Sequence, residues 1–155
     1  MKKKESELRV AVIGSGPAGL MAADVISSHG ISVIIFDQNK APAKKLLIAG
    51  SSGLNVTNSD KLENFHSHYK GSEKFFQNIF KVFSPADWIS YLHTLKLETF
   101  VGTSRRVFIK DMKASKLVRN WLEKLKNQIV QFKKSHRLVD FENINEKITC
   151  KFEME

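Results

Sequence analysis

The sequence has few of the residues that stabilise secreted or membrane proteins. Its 155 residues include a single cysteine, Cys150, which cannot form an intramolecular disulfide. A lone thiol is typical of a reducing compartment, and we expect the protein to be cytoplasmic. The basic start at residues 2–4 could be mistaken for a signal peptide, but Glu5 and Glu7 interrupt it and the following apolar run is short. No stretch approaches the length of a membrane span, so we expect no membrane partner.

Acidic residues are scarce relative to basic ones: 16 Asp and Glu stand against 25 Lys and Arg, giving a formal net charge of +9. The basic residues are scattered along the chain, and no RNA-binding aromatic motif or zinc-ligand spacing accompanies them. We therefore expect no nucleic-acid partner and interpret most of them as solvated faces. His66 and His68 lack a neighbouring cysteine or carboxylate pair, so we predict no metal site.

Glycine is also uncommon, yet three of the eight glycines fall within six residues. The apolar run Val10–Ile13 predicts a short buried strand, and a helical pattern follows the glycines. Their spacing is the G-x-G-x-x-G fingerprint of dinucleotide binding, in which a tight turn and a helix N-terminus meet a pyrophosphate. The predicted phosphate-binding residues are Gly14, Ser15, Gly16, Pro17, Ala18 and Gly19.

A second apolar strand is predicted at residues 31–36, and Asp37 stands at its end. This is about the spacing at which an acidic side chain meets the ribose hydroxyls of a dinucleotide. Asp37 and the adjacent Gln38 are therefore predicted cofactor-binding residues. The alternative is a glycine-rich turn in another kind of α/β domain, with Asp37 as a capping or turn residue.

The segment from Ala43 to Asn58 departs from a plain nicotinamide-binding unit, which would return through a helix to a parallel strand. A turn at residues 50–53 is rich in backbone donors, and Asn55 and Thr57 add short hydrogen-bonding side chains. Such a segment can wrap a polar ligand. An ordinary surface loop is the alternative.

This segment resembles the K-K-L-L-I-x-G-x-G-x-x-N-x-T-N stretch of bacterial FAD-binding flavoproteins, the NAD(FAD)-utilising dehydrogenases of the aminoacetone-oxidase type. A second stretch, residues 98–115, is similar to another signature of that family. The resemblance extends from the first strand to about Cys150 and is more specific than the glycine fingerprint alone.

The resemblance implies a site residue by residue. Gly14 to Gly19 would hold the FAD pyrophosphate and Asp37 the adenosine ribose. Lys45 and the turn from Gly50 to Gly53 would line the route to the ribityl chain. Asn55 and Thr57 would lie nearer the flavin ring, and NAD(P)H is a possible electron donor.

Two departures from the family pattern stand out. Where relatives often read Ser-Gly-Arg-Val-Phe-Pro, this chain has Arg105 in place of the glycine, and arginine adopts positive φ less readily. The loop at Ser51 and Ser52 is also less glycine-rich than in many relatives.

The remaining pattern predicts helices at residues 72–83, from Ser84 onward and at 115–126, then a strand at 128–133. A hairpin of residues 137–141 and 147–152 is expected to turn at residues 142–145. We therefore expect an α/β fold: a Rossmann-like FAD-binding domain with about three parallel strands, the glycine unit at residues 8–37 and a C-terminal β-hairpin. Because family members are longer, one apparently truncated domain over residues 1–155 is predicted.

Three functions remain open from the sequence. The first is the N-terminal FAD-binding portion of an FAD-dependent oxidoreductase, whose substrate and catalytic residues are not assigned. The second is a module that binds NAD or another nucleotide without redox activity. The third is a truncated or split gene product that is inactive alone and needs a separately encoded C-terminal portion or self-association.

Overall fold

The computed structural model describes residues 8–50, 53–145 and 147–154, so the predictions for residues 2–4, Ser51 and Ser52 lie outside the described residues. The chain divides into two compact units. The first contains the described residues of Met1–Ile48 and Trp121–Glu155, and the second is Ala49–Asn120. Among the described residues, no helix is long and apolar enough to cross a membrane. The single domain over residues 1–155 stays a prediction.

Eight strands and six α-helices follow one another along the described chain, with a one-turn 3₁₀ helix at His66–His68. They are β1 (Arg9–Ile13), α1 (Pro17–Ser28), β2 (Ser32–Phe36), α2 (Lys44–Ala49), β3 (Asn55–Asn58), α3 (Leu62–Phe65), α4 (Glu73–Val82), α5 (Pro85–Thr94), β4 (Thr99–Val101), β5 (Arg106–Ile109), α6 (Ala114–Lys126), β6 (Val130–Lys133), β7 (His136–Ile144) and β8 (Lys147–Met154).

The first unit is built on a parallel sheet in the order β1-β2-β6. Val33 of the central strand pairs with Val10 of β1 and with Val130 of β6. Val33 is completely buried, and α1 packs on β1 and β2. This arrangement confirms the predicted Rossmann-like fold with three parallel strands.

The turn between β1 and α1 depends on two glycines. Gly14 has φ of +96°, and its N–H donates to the carbonyl of Phe36 over 2.7 Å, which fixes the exit from β1 beside the end of β2. A Cβ atom at Gly19 would overlap the carbonyl oxygen of Gly14. Helix α1 can therefore begin this close to β1 only because residue 19 has no side chain.

A β-hairpin of β7 and β8 follows β6 and confirms the expected C-terminal hairpin. The turn predicted at residues 142–145 is wrong in extent, because residues 142–144 continue β7 and pair with residues 147–149 of β8. At the other end of the hairpin, Phe152 stacks on Phe36 with ring centroids 4.4 Å apart. This contact anchors the hairpin to the parallel sheet.

The second unit contains an antiparallel sheet in the order β3-β5-β4, which no pattern in the sequence predicts. Its central strand β5 buries Val107 and Ile109. Helix α5 begins as predicted, with a capping box between Ser84 and Asp87. Helix α4 follows Ser72 as predicted, but the Ser72 side chain makes no capping hydrogen bond.

The β4–β5 turn places Arg105 in the left-handed region, with φ of +59°. Glycine, which relatives often have at this position, adopts this conformation at lower cost. Arginine is held there by Asp60, whose Oδ1 accepts from Arg105 Nη1 over 2.8 Å. The Arg105 carbonyl also accepts from the N–H of Ser59 over 2.8 Å.

We expect the two glycines flanking the start of α1 to respond differently to alanine. Gly19→Ala forces α1 away from β1 and should lower the free energy of unfolding by about 1–3 kcal/mol, the usual cost of overpacking. Gly16→Ala is the matched control, because nothing lies within 4 Å of a Cβ atom there. Gly16→Ala should lower the free energy of unfolding by less than about 1 kcal/mol, because it changes only the N-cap residue of α1. Urea unfolding measures both, and equal losses would contradict the close-approach explanation.

Candidate functional site

A pocket of about 610 Å³ lies at the carboxyl ends of β1 and β2, entirely within the first unit. Four segments line it: the β1–α1 turn, the residues that follow β2, the start of α2 and the start of β7. In an open parallel sheet, ligands bind outside the carboxyl ends of the strands. The pocket is therefore at the position where this fold binds ligands.

The structure brings six predicted site residues together around this pocket. They are Gly14, Gly16, Pro17, Asp37, Gln38 and Lys45. Ser15 in the same turn, and Ala18 and Gly19 in the first turn of α1, do not line the pocket. Ser15 is fully buried, so it can act on a ligand only through its backbone or through its neighbours.

The other four predicted residues lie in the second unit. Gly50 directly follows α2, and Gly53 has φ of +123°. Asn55 and Thr57 are on β3, opposite Phe108 and Val107 of β5. They are part of the antiparallel sheet rather than of a loop, and their roles near a flavin ring stay predictions.

Several lining residues were missed from sequence. Asn39, Arg137 and Leu138 line the pocket beside His136. The signal that points to them is topological. Since β6 lies next to β2, the residues after β6 emerge at the same edge of the sheet as those after β2.

The carboxylate of Asp37 accepts four hydrogen bonds from two neighbouring residues. Oδ2 accepts from the backbone N–H of Ser15 over 2.7 Å and from the Ser15 hydroxyl over 2.5 Å. Oδ1 accepts from the backbone N–H of Asn39 over 2.7 Å and from its side-chain amide over 3.0 Å. The end of β2 is thereby tied to the glycine turn.

These hydrogen bonds also set the protonation of Asp37. Burial by itself raises the pKa of the Asp37 carboxyl, because it disfavours the charged form. The hydrogen bonds from Ser15 and Asn39 outweigh burial, and the pKa is lowered below its ordinary value of 3.8. Asp37 is consequently an anion at neutral pH.

Ser15 connects the glycine turn to the start of α2 as well as to Asp37. The backbone N–H of Ala43 donates to the Ser15 carbonyl over 3.1 Å and approaches the Ser15 hydroxyl oxygen at 3.3 Å. Ala43 has φ of +55° and is almost completely buried. The next two residues, Lys44 and Lys45, line the pocket.

The positively charged groups at the pocket are the N-terminus of α1 and these two lysines. The first turn of α1 contains no acidic residue, and no side chain caps it. Its first N–H groups have no partner within the helix and carry partial positive charge. Lys44 and Lys45 add full positive charges to the same pocket. Within the residues that the structure describes, no group of three or more His, Cys, Asp or Glu could hold a metal ion.

Comparison with known proteins supports this description of the fold. A family model described as HI0933-like protein Rossmann domain matches residues 8–155. The chain is 37% identical over 65 residues to the ribosomal RNA dihydrouridine synthase of Haemophilus influenzae, which is 42% of this chain and 16% of that protein. It is 35% identical over 65 residues to the FAD-dependent monooxygenase ankC of Aspergillus thermomutatus, which is 42% of this chain and 11% of that protein.

Among solved structures, the chain is similar to THI4 of Thermovibrio ammonificans, with a TM-score of 0.56 and 15% identity. The match covers 94% of this chain and 47% of that one. The likeness shows a shared fold. The matches thus span less than half of the length of each of these relatives.

The lowered pKa of Asp37 predicts how its contribution to stability depends on pH. A folded-state pKa below the unfolded value of 3.8 means that the stabilisation is complete above that pH and is lost as the pH falls through the folded pKa. We therefore expect Asp37→Asn to be less stable than the wild type at pH 7, with the difference shrinking below about pH 4.

Urea unfolding across this range measures the difference. Glu153→Gln, which removes one exposed carboxylate on β8, is the matched control and should change stability little at any pH. A difference between wild type and Asp37→Asn that is the same at pH 7 and at about pH 3 would contradict the explanation.

Proposed function

Because this chain belongs to the HI0933-like Rossmann domain family, we propose that it binds FAD and forms the FAD-binding portion of an FAD-dependent oxidoreductase. One observation carries the proposal. The glycine turn, the N-terminus of α1, Asp37 and Lys45 converge on one pocket at the carboxyl ends of β1 and β2. The related monooxygenase of Aspergillus thermomutatus is FAD-dependent, which supports FAD over other dinucleotides.

The pocket has the size and chemistry for the ADP half of FAD. Its volume of about 610 Å³ is within the usual range for small-molecule sites, about 300–1,000 Å³. The space where a Cβ atom of Gly16 would stand is open, so a pyrophosphate can approach the backbone there. In this proposal Lys44 and Lys45 neutralise its charge.

The adenine would lie toward the start of β7. Phe36, His136 and Leu138 line that side of the pocket, and the rings of Phe36 and His136 are 5.9 Å apart. The N–H of His136 donates to the Asp37 carbonyl over 2.9 Å, which fixes β7 against the end of β2. Aromatic and apolar surfaces of this kind suit a purine ring.

When bound, FAD supplies hydride or electron transfer through its isoalloxazine ring. The residues of the first unit bind and orient the nucleotide. By the family resemblance, Gly50, Gly53, Asn55 and Thr57 of the second unit are assigned to the ribityl and flavin-ring side. NAD(P)H is the proposed electron donor, and the substrate is a small molecule whose class we leave open.

We propose that the partner of this portion is either a separately encoded C-terminal portion or a second copy of the chain, and that it works in the cytoplasm. In the described part of the sheet, β1 pairs only with β2, so its other edge is open to a further strand. The cytoplasmic assignment rests on the single cysteine.

We expect FAD to bind more tightly than NAD, since the two cofactors share an ADP half and the second unit resembles a flavin-binding segment. Fluorescence titration with each cofactor, followed by displacement with ADP, measures this. Lys45→Ala should weaken FAD binding by about 1–3 kcal/mol through loss of a charged phosphate contact. Lys147→Ala, at the exposed end of the hairpin, is the matched control and should have no effect. NAD binding as tightly as FAD would overturn the assignment.

As a second candidate, we propose that the oxidoreductase acts on RNA. One relative is a ribosomal RNA dihydrouridine synthase, and this chain has a formal net charge of +9. The second unit also has a cleft of about 530 Å³ lined by Lys113, Lys116 and Arg119, beside Ser115 and Asp111. Lys116 forms an ion pair with Asp111, which leaves Lys113 and Arg119 as the cations best placed for a phosphate backbone. This candidate opposes the sequence-based expectation of no nucleic-acid partner.

Gel-shift assays with a ribosomal RNA fragment at several salt concentrations test this second candidate. Lys113→Glu with Arg119→Glu should weaken binding and lower the salt dependence by about one unit for each lost phosphate contact. Lys126→Glu with Lys147→Glu makes the same change in net charge at two exposed positions outside the cleft and should have a smaller effect. If the cleft variant and the control variant weaken RNA binding equally, binding depends on net charge alone, and this cleft is excluded as the RNA site.

A further inference from the structure

Strand β3 contains one residue more than the stretch of β5 with which it pairs. Thr57 lies opposite Val107 of β5. Two positions earlier on β3, Asn55 lies opposite Phe108, which is only one position later on β5. Val56 is therefore the extra residue of a β-bulge. Bulges re-aim neighbouring side chains and are common beside binding sites.

The bulge decides on which face of the β3-β5-β4 sheet Asn55 lies. Residues directly opposite each other in an antiparallel pair share a face. Without the extra residue, the register at Thr57 would place Asn55 opposite Ile109, on the face that is buried. With the bulge, Asn55 pairs with Phe108 on the other face, which we call the outer face, and Asn55 is exposed there. Its amide can both donate hydrogen bonds to a ligand and accept them.

A side chain of α5 holds the bulge in place. The indole N–H of Trp88 donates to the carbonyl of Val56 over 3.1 Å. The extra residue of a bulge is left unpaired in the ladder, so its polar backbone groups need partners from outside the two strands. Trp88 supplies such a partner to Val56.

The position of Trp88 is fixed within α5. Trp88 directly follows the capping box of Ser84 and Asp87, and its backbone N–H donates to the Ser84 carbonyl over 3.0 Å. Its ring stacks on that of Tyr91, with centroids 5.5 Å apart and an angle of 15° between the planes. The indole N–H is thus a donor that the helix presents to β3.

We infer that Trp88 is a positioning residue for the flavin half of the cofactor. Through the Val56 carbonyl it holds the bulge, and the bulge keeps Asn55 on the outer face of the sheet, where the Asn55 amide meets the bound flavin. Trp88 acts through Asn55 and does not touch the cofactor itself. This inference rests on the proposed function, in which Asn55 is assigned to the flavin-ring side.

Calorimetric titration of the full chain with FAD and with ADP tests the inference, because ADP lacks the flavin half. Trp88→Phe keeps an aromatic ring and removes the N–H. It should lower FAD affinity about three- to tenfold and leave ADP affinity unchanged within about twofold. Ser90→Ala is the matched control, since the Ser90 hydroxyl donates to the Ala86 carbonyl within the same helix. It should change neither affinity.

A thermodynamic cycle with Asn55→Ala shows whether Trp88 acts through Asn55. Asn55→Ala should lower FAD affinity at least as much as Trp88→Phe does. The double variant should bind FAD about as weakly as Asn55→Ala alone. The absorption bands of bound FAD are a second readout, and both single variants should shift them in the same direction.

Thermal unfolding checks that each variant is folded. Should Trp88→Phe fail to fold, benzothienylalanine incorporated at position 88 takes its place in the same titrations. This amino acid keeps the two-ring shape of tryptophan and lacks the N–H, so it removes only the hydrogen bond to Val56.

The possible failures are distinguishable. Unchanged FAD affinity in Trp88→Phe, or losses that add in the double variant, would overturn the inference while leaving the proposed function intact. An equal loss of ADP and FAD affinity in Trp88→Phe would also overturn it, because Trp88 would then support the fold in general. A wild-type chain that binds neither ADP nor FAD would overturn the proposed function itself.

Discussion

The hydrogen bonds between Ser15 and Asp37 are the interaction on which the rest of the candidate site depends. They join the end of β2 to the turn that follows β1, and the Gly14 N–H adds a further bond from that turn to the Phe36 carbonyl. Two adjacent parallel strands are thereby locked at their carboxyl ends. Ser15 also accepts a hydrogen bond from Ala43, so the starts of α1 and α2 are both tied to this residue. In the proposed function, this corner presents backbone and lysine donors together to a phosphate group.

The close approach of α1 to β1 is a second, steric requirement of the site, in addition to the hydrogen bonds between Ser15 and Asp37. At Gly19, any side chain would overlap the Gly14 carbonyl, whereas the space beside Gly16 is open. The three glycines of one motif therefore have separate physical duties: a left-handed turn, an open approach to ligand and close helix packing. The hairpin adds a second support, since Phe152 stacks on Phe36 and brings β7 beside the pocket.

Much of the first unit could be predicted because its signals are local. The apolar run before Gly14, the glycine spacing and the acid at position 37 lie within 30 residues and imply one strand-helix-strand unit. The antiparallel sheet could not be predicted, because β3 pairs with β5 some fifty residues later and both strands are only four residues long. Short strands leave too few residues for an alternating pattern to be recognised. The burial of Ser15 was also missed, since serine is usually exposed and only the tertiary contact with Asp37 explains it.

Amide NMR spectra of the ¹⁵N-labelled chain during titration with ADP show where the nucleotide binds. We expect saturable shifts of the Gly14, Gly16, Asn39 and Lys45 amides, together with the start of β7, while amides of the β3-β5-β4 sheet shift little. The ADP half would then bind at the corner that Ser15 and Asp37 build. Shifts confined to the second unit, or no saturable shift at Gly14 and Gly16, would contradict it.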